Sequence, residues 1–541
     1  MVKEALEEEI RGKFLDNKAW DVVPRPVDRN VVKSKWVLRF FQRQDGSIER
    51  VKARLVACGY SQTEGQDYTE VFAATLSAGN FRIFCAIIAA LDWNTDQLDA
   101  VKAFTQSDVD AEIFVEMPEG FAVEGQVLKL NKALEGIKQG AHLWFKRNSS
   151  ALTSVGFVAS LTEPNLYIHS ELPIMVAVFV DDVIVGYDKA ASEAYLRVKD
   201  RYAQLINIGD NELREVHKFI GVEIARDRDK KTLTLTQKGF ITELATRYQG
   251  QAIESHLPTG PLRKSVEEFE KLVPEDSDDN NKVSATTYMQ MIGSILWVAN
   301  MTRPDIAYYA SRLAMYCKSP TKHHEYFALC VIGYLIKTKD MGITFGGKIR
   351  KPMGVDETPE ECMQSLGLHT YHDSSWGKEV QPFGGYVVML NGGAVLYAAR
   401  KLRIVPDSTA EAETAIASQA AKDTVATRMI LEDMRIEICG PTPMLGDCRA
   451  TRDIIVKPGS AQRTRYFERA ALLVKRLYMQ HVVAPIVIRT DDMAADVFTK
   501  ALPRDKFARC REYILNHDRN GSSMVALSAK ARKIWKQLRS D

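Results

Sequence analysis

A chain of 541 residues is longer than one hydrophobic core organises, so several domains are expected. Its composition, 45% hydrophobic and 26% charged, is ordinary for a globular protein. A net charge of +2 announces no nucleic-acid partner, so any such signal must sit in local clusters. The eight cysteines, at 58, 85, 317, 330, 362, 439, 448 and 510, form no Cys-x-x-Cys pair. That argues against a zinc ribbon or a disulfide framework and fits a reducing compartment. The opening run, Met1-Val-Lys-Glu-Ala-Leu-Glu-Glu-Glu-Ile-Arg11, is charged and lacks the apolar core of a signal peptide, and no apolar run approaches the length of a membrane span. The expectation is a soluble intracellular protein, not secreted, with no membrane partner.

Residues 1–30 predict a helix and then a connector at Pro24-Arg-Pro26. Over 33–54 seven basic residues (Lys33, Lys35, Arg39, Arg43, Arg50, Lys52 and Arg54) stand against Asp45 and Glu49. Asp45-Gly46 separates Trp36–Gln42 from Ile48–Val56, a hairpin signal. A basic hairpin suits phosphate contact, with Lys52 and Arg54 the candidates to hold a triphosphate; a solvated strand face also fits. Residues 80–92 have helical apolar spacing and lead into a strand carrying Asp99. Val127–Leu130 predicts a strand, and Lys132–Phe145 a turn and helix containing Gly136, Lys138 and Gln139.

Ile174-Met-Val-Ala-Val-Phe-Val-Asp181-Asp182-Val-Ile-Val-Gly-Tyr187 is the most informative stretch. Two β-branched runs flank two aspartates, which reads as a hairpin with the acids at its turn. Adjacent carboxylates repel and raise each other's pKa unless a cation sits between them, and hard cations such as Mg²⁺ prefer carboxylate oxygens. Taken alone, the pair also fits a solvated acidic turn.

Beyond the hairpin, 191–206 predicts a helix, and Lys218–Ile224 with Thr232–Thr236 a strand pair around Asp227–Lys231. Residues 265–284 are polar and acidic and read as flexible. Tyr288–Lys339 predicts helices interrupted at Arg303-Pro304. A weak stretch at 346–367 marks a domain boundary. Next come a hairpin, Gly385–Leu390 and Ala394–Ala398, around the favoured Asn391-Gly392 turn, and an Ala-rich helix from about Ala410 to Met434, capped by Ser408 or Thr409. A strand over Met444–Asp447, a helix over Gln462–Gln480, a strand over Val482–Ile488 and a helix over Asp491–Lys500 complete the pattern. A basic tail carries Lys530, Arg532, Lys533, Lys536 and Arg539.

The pattern Gln97-Leu-Asp99 with Ala103-Phe104, followed by Phe179-Val-Asp-Asp182, resembles the palm of reverse transcriptases, more narrowly the copia-type (pseudovirus) retrotransposon polymerases. The resemblance extends through Ser34-Lys-Trp36, Lys52-Ala-Arg-Leu-Val-Ala57, Ala133-Leu-Glu-Gly-Ile-Lys-Gln139, Phe219-Ile-Gly-Val-Glu223 and Thr302-Arg-Pro-Asp305 to Asp496-Val-Phe-Thr-Lys500. It implies an α+β fold, with reverse-transcriptase fingers, palm and thumb followed by an RNase H-like α/β domain. The expected boundaries are fingers and palm over 1–256, a largely helical thumb or connection over 257–345, a linker over 346–367, the RNase H-like domain over 368–515 and the basic tail over 516–541.

The resemblance also implies two sites. In the first, Asp99, Asp181 and Asp182 hold two Mg²⁺ or Mn²⁺ ions for phosphoryl transfer from deoxynucleoside triphosphates, with an RNA template and a DNA primer. Phe104 falls where the family places the aromatic that excludes a ribose 2′-hydroxyl, while Gly136, Lys138 and Gln139 pack beside template and nascent pair. In the second, Asp373, Glu413, Asp447 and Asp496 hold two ions that serve to cut the RNA strand of an RNA–DNA hybrid. Glu411 and Glu413 point to different faces of their helix, and the family pattern favours Glu413. Departures from the family fall at Glu135, Gly140-Ala141-His142, Cys58, Ile416 and Tyr466. They motivate the alternative of a catalytically impaired remnant that only binds nucleic acid. No zinc-knuckle, protease or integrase motif is found, so a polyprotein fragment or a truncated copy is expected, cytoplasmic in a virus-like particle or nuclear.

Overall fold

The computed structural model describes the chain except residues 15–16, 44–46, 210–211, 214, 252–259, 263–265, 273–280, 348–351, 356–365, 377–381, 458–467 and 518–541. The Asp45-Gly46 turn, Tyr466, the basic tail and parts of the 265–284 and 346–367 segments therefore lie outside the described residues. The chain forms two compact units, one of Met1–Leu76, Thr95–Ala159 and Pro164–Arg214, the other of Ser77–Asn94, Ser160–Glu163 and Glu215–Asp541. Both mix helices with sheets, the α+β class expected.

The first unit centres on a five-stranded sheet ordered Asn94–Asp99, Asp182–Tyr187, Ile174–Phe179, Leu166–His169, Phe157–Ala159. Its central strand is buried at every position from Ile174 to Val178, as a sheet covered on both faces requires. Helices Gly140–Ser154 and Ser192–Leu205 supply Trp144, Leu152, Tyr195, Val198 and Tyr202 to a core with Val176, Val178, Val183 and Val185. Asp96 is fully buried and meets Lys199 Nζ at 2.8 Å and the Tyr195 hydroxyl at 2.6 Å, which fastens strand Asn94–Asp99 to the second of these helices. Strands Ser34–Gln42 and Ile48–Ala57 form a separate two-stranded arm. The expected connector at Pro24 is instead the end of a strand, Trp20–Pro24, paired antiparallel with Gln126–Leu130. Its strand lies at the edge of that sheet, where a proline's missing N–H is tolerated.

In the second unit, helix Ala78–Leu91 is buried over most of its surface, matching a sequence that is apolar all round. Its one cation, Arg82, is buried and donates to the carbonyls of Val395 (2.8 Å), Asn300 (2.5 Å) and Met301 (3.1 Å), with the Tyr397 ring 4.5 Å below. The expected strand over 218–224 is broken: Ile220 and Gly221 adopt positive φ between Lys218–Phe219 and Val222–Asp227. Helices Ala285–Met301, Ala307–Ala314 and Lys322–Lys337 follow the expected interruption at Arg303-Pro304.

A second five-stranded sheet is ordered Gly393–Lys401, Phe383–Leu390, His369–Ser374, Thr442–Gly446, Val483–Val487; the first three strands run antiparallel and the last two join in parallel. Asn391 and Gly392, both at positive φ, close its hairpin as the favoured two-residue turn. Helix Thr409–Asp433 packs on the sheet, capped by Ser408 Oγ accepting from Glu411 N. The expected helix over Asp491–Lys500 is instead two short 3₁₀ turns, Thr490–Asp492 and Ala494–Phe498. The true helices nearby, Arg449–Val456 and Arg504–Ile514, were not anticipated.

Candidate functional site

Asp99 ends its strand, exposed, beside the hairpin that carries the paired aspartates. Phe179 pairs with Asp182, so the turn residues are Val180 and Asp181, one position earlier than the sequence pattern suggested. Val180 has φ +56°. A positive φ at the first turn residue is the place for glycine, and for a β-branched side chain it is strained. The strained carbonyl is held: Trp144 Nε1, on a side chain buried in the core, donates to Val180 O at 2.7 Å. Asp182 is half-buried, and its pKa is pushed up to about 6 by that burial and by the negative charges of Asp181 and Asp99. Like charges gathered this way favour a bound cation, and an all-carboxylate donor set fits a hard divalent ion.

Elsewhere in the first unit, Lys52 and Arg54 lie exposed on one face of the arm, opposite buried Ala53 and Leu55. Phe104 is partly buried in the short turn Ala103–Gln106 and faces Gly140 at the start of helix Gly140–Ser154. Gly136 has φ +94° and sits so close to Ala57 O that a side chain there would collide with it. Lys138 is tied to Tyr68, with Nζ 2.7 Å from its hydroxyl. Gln139 is fully buried, donating to Asp67 O and accepting from Gln62, so its amide shapes the loop from inside. His142, one of the departures, also turns inward: Nδ1 lies 2.5 Å from Phe72 O and Nε2 3.2 Å from Glu70. Cys58 is buried.

The second cluster is tighter. Among the described residues, Asp373, Glu413 and Asp447 are the one trio whose ligand atoms all lie within 4.8 Å of one another. Asp373 comes from the central strand, Glu413 from the first turns of the Ala-rich helix, and Asp447 from the residue just after Thr442–Gly446. Glu413 Oε1 accepts from Ser374 N at 2.9 Å and Ser374 Oγ at 3.0 Å, while its Oε2 is buried without a hydrogen-bond partner. Glu411 turns away and caps its own helix, accepting from Asp407 N at 2.8 Å. Burial holds the Asp373 carboxyl well above its usual range; Lys500 opposes this, and Glu413 and Asp496 add to it. Glu413 Oε2 has His372 Nδ1 at 3.7 Å, beyond hydrogen-bond range. A buried carboxylate oxygen without a hydrogen bond among three converging acids fits a divalent cation held by oxygen ligands.

Asp496 stands outside that trio. Its carboxylate is met by Lys500 Nζ at 2.6 Å and Lys506 Nζ at 2.5 Å, and Lys500 also lies 3.5 Å from Asp373 Oδ2. Thr499 Oγ1 donates to the same Asp373 oxygen at 2.5 Å. Gly385 permits this approach, because a side chain there would strike Phe498 and Thr499. Sequence reading gave no role to Trp144, Val180, Thr499, Lys500 or Lys506. Only Lys500 carried a local signal, the i,i+4 spacing from Asp496.

The reverse transcriptase (RNA-dependent DNA polymerase) family model matches residues 17–252. The chain is 26% identical over 524 residues to the retrovirus-related Pol polyprotein from transposon TNT 1-94 of Nicotiana tabacum, covering 95% of this chain and 38% of that protein. It is 27% identical to the Pol polyprotein from transposon RE1 of Arabidopsis thaliana, over 93% of this chain and 33% of that protein. The chain thus spans little more than a third of the length of these relatives. The putative transposon Ty5-1 protein of Saccharomyces cerevisiae is 30% identical over 335 residues, 60% of this chain and 100% of that protein. A solved foamy viral protease-reverse transcriptase aligns over 90% of this chain and 70% of its own at 10% identity, with a TM-score of 0.47. With a relative covered end to end and the palm sequence pattern matched, the chain belongs to the reverse transcriptase family of copia-type retrotransposon Pol polyproteins.

Proposed function

We propose that the chain is an RNA-directed DNA polymerase that copies retrotransposon RNA at Asp99, Asp181 and Asp182. We further propose that it degrades the RNA strand of RNA–DNA hybrids at Asp373, Glu413 and Asp447, with Asp496 assisting. The observation that carries the first reading is the placement of Asp181 and Asp182 at the end of a hairpin whose neighbouring strand ends in Asp99, on a turn strained at Val180 and anchored by Trp144. The raised pKa of Asp182 accords with it. For the second reading it is the convergence of Asp373, Glu413 and Asp447 within 4.8 Å, with a buried Glu413 oxygen that accepts no hydrogen bond.

Each set of carboxylates would hold two Mg²⁺ or Mn²⁺ ions. When bound, such ions supply a lowered pKa at the attacking oxygen and neutralise charge on the leaving group. The chain's own residues bind and position. Asp99 and Asp181 are the main ligands of the polymerase site and Asp182 assists. Lys52 and Arg54, exposed on the arm, meet the triphosphate of a deoxynucleotide. Phe104 stands against the sugar, and Gly136, Lys138 and Gln139 shape the wall beside template RNA and primer DNA. Recognition of the hybrid rests on shape and 2′-hydroxyl contact, which carries little sequence preference.

Metal-dependent primer extension on an RNA template tests the polymerase reading. Asp181→Asn is expected to abolish synthesis and spare template binding, which depends on distributed cations. Extension by this variant near the wild-type rate would sink the assignment. Tight template binding without extension by the wild type would favour the remnant, for which Glu135 and the inward-turned His142 supply the motive.

A further inference from the structure

The carboxylates of the second cluster already have a cation of their own. Lys500 Nζ lies between Asp496 and Asp373, at 2.6 and 3.5 Å, and the Lys500 side chain is 26% exposed although both acids are buried. Lys506 meets the other oxygen of Asp496. Burial by itself would lower the Lys500 pKa; Asp373, Asp496 and Asp447 reverse this and hold it above its usual value. Buried carboxylates without a counter-charge are costly, and these two are answered by an ammonium on a flexible four-carbon stem. A divalent ion held through Asp373 would share that carboxylate with the ammonium, and two cations at this range repel strongly.

We propose that Lys500 is the resident counter-cation of Asp373 and Asp496, and that a divalent cation binds by displacing it. The proposal rests on the reading of Asp373, Glu413 and Asp447 as a metal site. In the metal-free chain Lys500 keeps the acids from repelling each other, and in exchange it weakens the apparent affinity for the metal. Lys506, which meets Asp496 and also donates to Thr490 O at 2.8 Å, stays in place.

The test uses the full chain carrying Asp99→Asn and Asp181→Asn, so that metal binding reports the second cluster. Amine acetylation followed by peptide mass spectrometry reads the release of Lys500, because an ion-paired ammonium is protected and only the freed, deprotonated amine is acylated. Its labelling should rise severalfold on adding Mg²⁺ in place of chelator, while Lys506 labelling stays level, and adding Glu413→Gln should remove the rise. Calorimetric Mg²⁺ titration gives a second readout: Lys500→Met should bind on the order of tenfold tighter than the parent and melt earlier in chelator, whereas Lys500→Arg should behave as the parent does. Lys500 labelling unchanged or lowered by Mg²⁺ while calorimetry reports binding would overturn the displacement and leave the metal site standing. Absence of Mg²⁺ binding by both the parent and Lys500→Met would remove the metal reading, and this proposal with it.

Discussion

Trp144 and Val180 are joined by a single 2.7 Å hydrogen bond from the indole N–H to the backbone carbonyl, across 36 residues of sequence. Val180 is the strained residue of the turn that presents Asp181. Left-handed backbone at a β-branched residue persists only where its surroundings over-determine it, and the indole is one such constraint. Trp144→Phe keeps the ring and loses the donor. The expected cost is about 1 kcal/mol of stability, read by thermal unfolding. Nucleotide addition should slow by roughly tenfold in a single-turnover assay, with template binding unchanged. An addition rate equal to wild type would mean that the neighbouring strands hold the turn without Trp144.

Asp182 links stability to pH with a definite sign. Its folded pKa of about 6 lies above the ordinary 3.8. The folded chain therefore keeps a proton that the unfolded chain gives up. This contribution is full below about pH 4, declines as pH rises through about 6, and is absent above. Asp182→Asn should flatten that decline and raise metal-free stability at neutral pH by about 1 kcal/mol, a figure discounted for solvent screening at a half-exposed site. Melting in chelator across this pH range measures it; a parallel decline in the variant would place the linkage elsewhere.

Phe104 faces Gly140 with its ring only partly buried. On the proposed role of Phe104 against the sugar, Phe104→Val removes the bulk that a 2′-hydroxyl would meet. The ratio of ribo- to deoxynucleotide incorporation should rise by roughly tenfold or more, through loss of a clash and without a new contact. An unchanged ratio, accompanied by lower stability, would assign Phe104 to the core alone.

Glu413 and Glu411 separate two roles on one helix. Glu413→Gln should lower hybrid cleavage by on the order of a hundredfold, because a charged ligand is lost from the trio. Glu411→Gln keeps an acceptor for Asp407 N and should cost less than about 1 kcal/mol with cleavage retained. Primer extension should survive both changes. Cleavage lost with Glu411→Gln and kept with Glu413→Gln would move the site by two residues.

Much of this architecture could be read without coordinates, because its signals are local. β-Branched runs marked the strands around Asp181, Asn391-Gly392 marked the turn of the later hairpin, and Ser408 or Thr409 marked the start of the Ala-rich helix. Each is a choice that a few neighbouring residues make through φ/ψ preference, capping or pleat. The Asp491–Lys500 segment misled for the same reason. Its helical spacing was real, but packing of Phe498 and Thr499 onto Gly385 took the segment as 3₁₀ turns.

What only the tertiary structure decided involves partners far apart in sequence. Nothing near Trp144 indicates that its N–H is committed to Val180, and nothing near helix Ala78–Leu91 indicates that Arg82 would serve the carbonyls of Asn300, Met301 and Val395. Composition told that this helix is buried, but not what covers it, since apolar burial is non-directional. The acids, too, stood out in the sequence as residues in order. That three of them approach within 4.8 Å, that one buried Glu413 oxygen accepts no hydrogen bond and that Lys500 meets Asp496 are facts of distance. Charge repulsion and desolvation act through space, so the chain's order announces the candidates and the fold alone decides which of them meet.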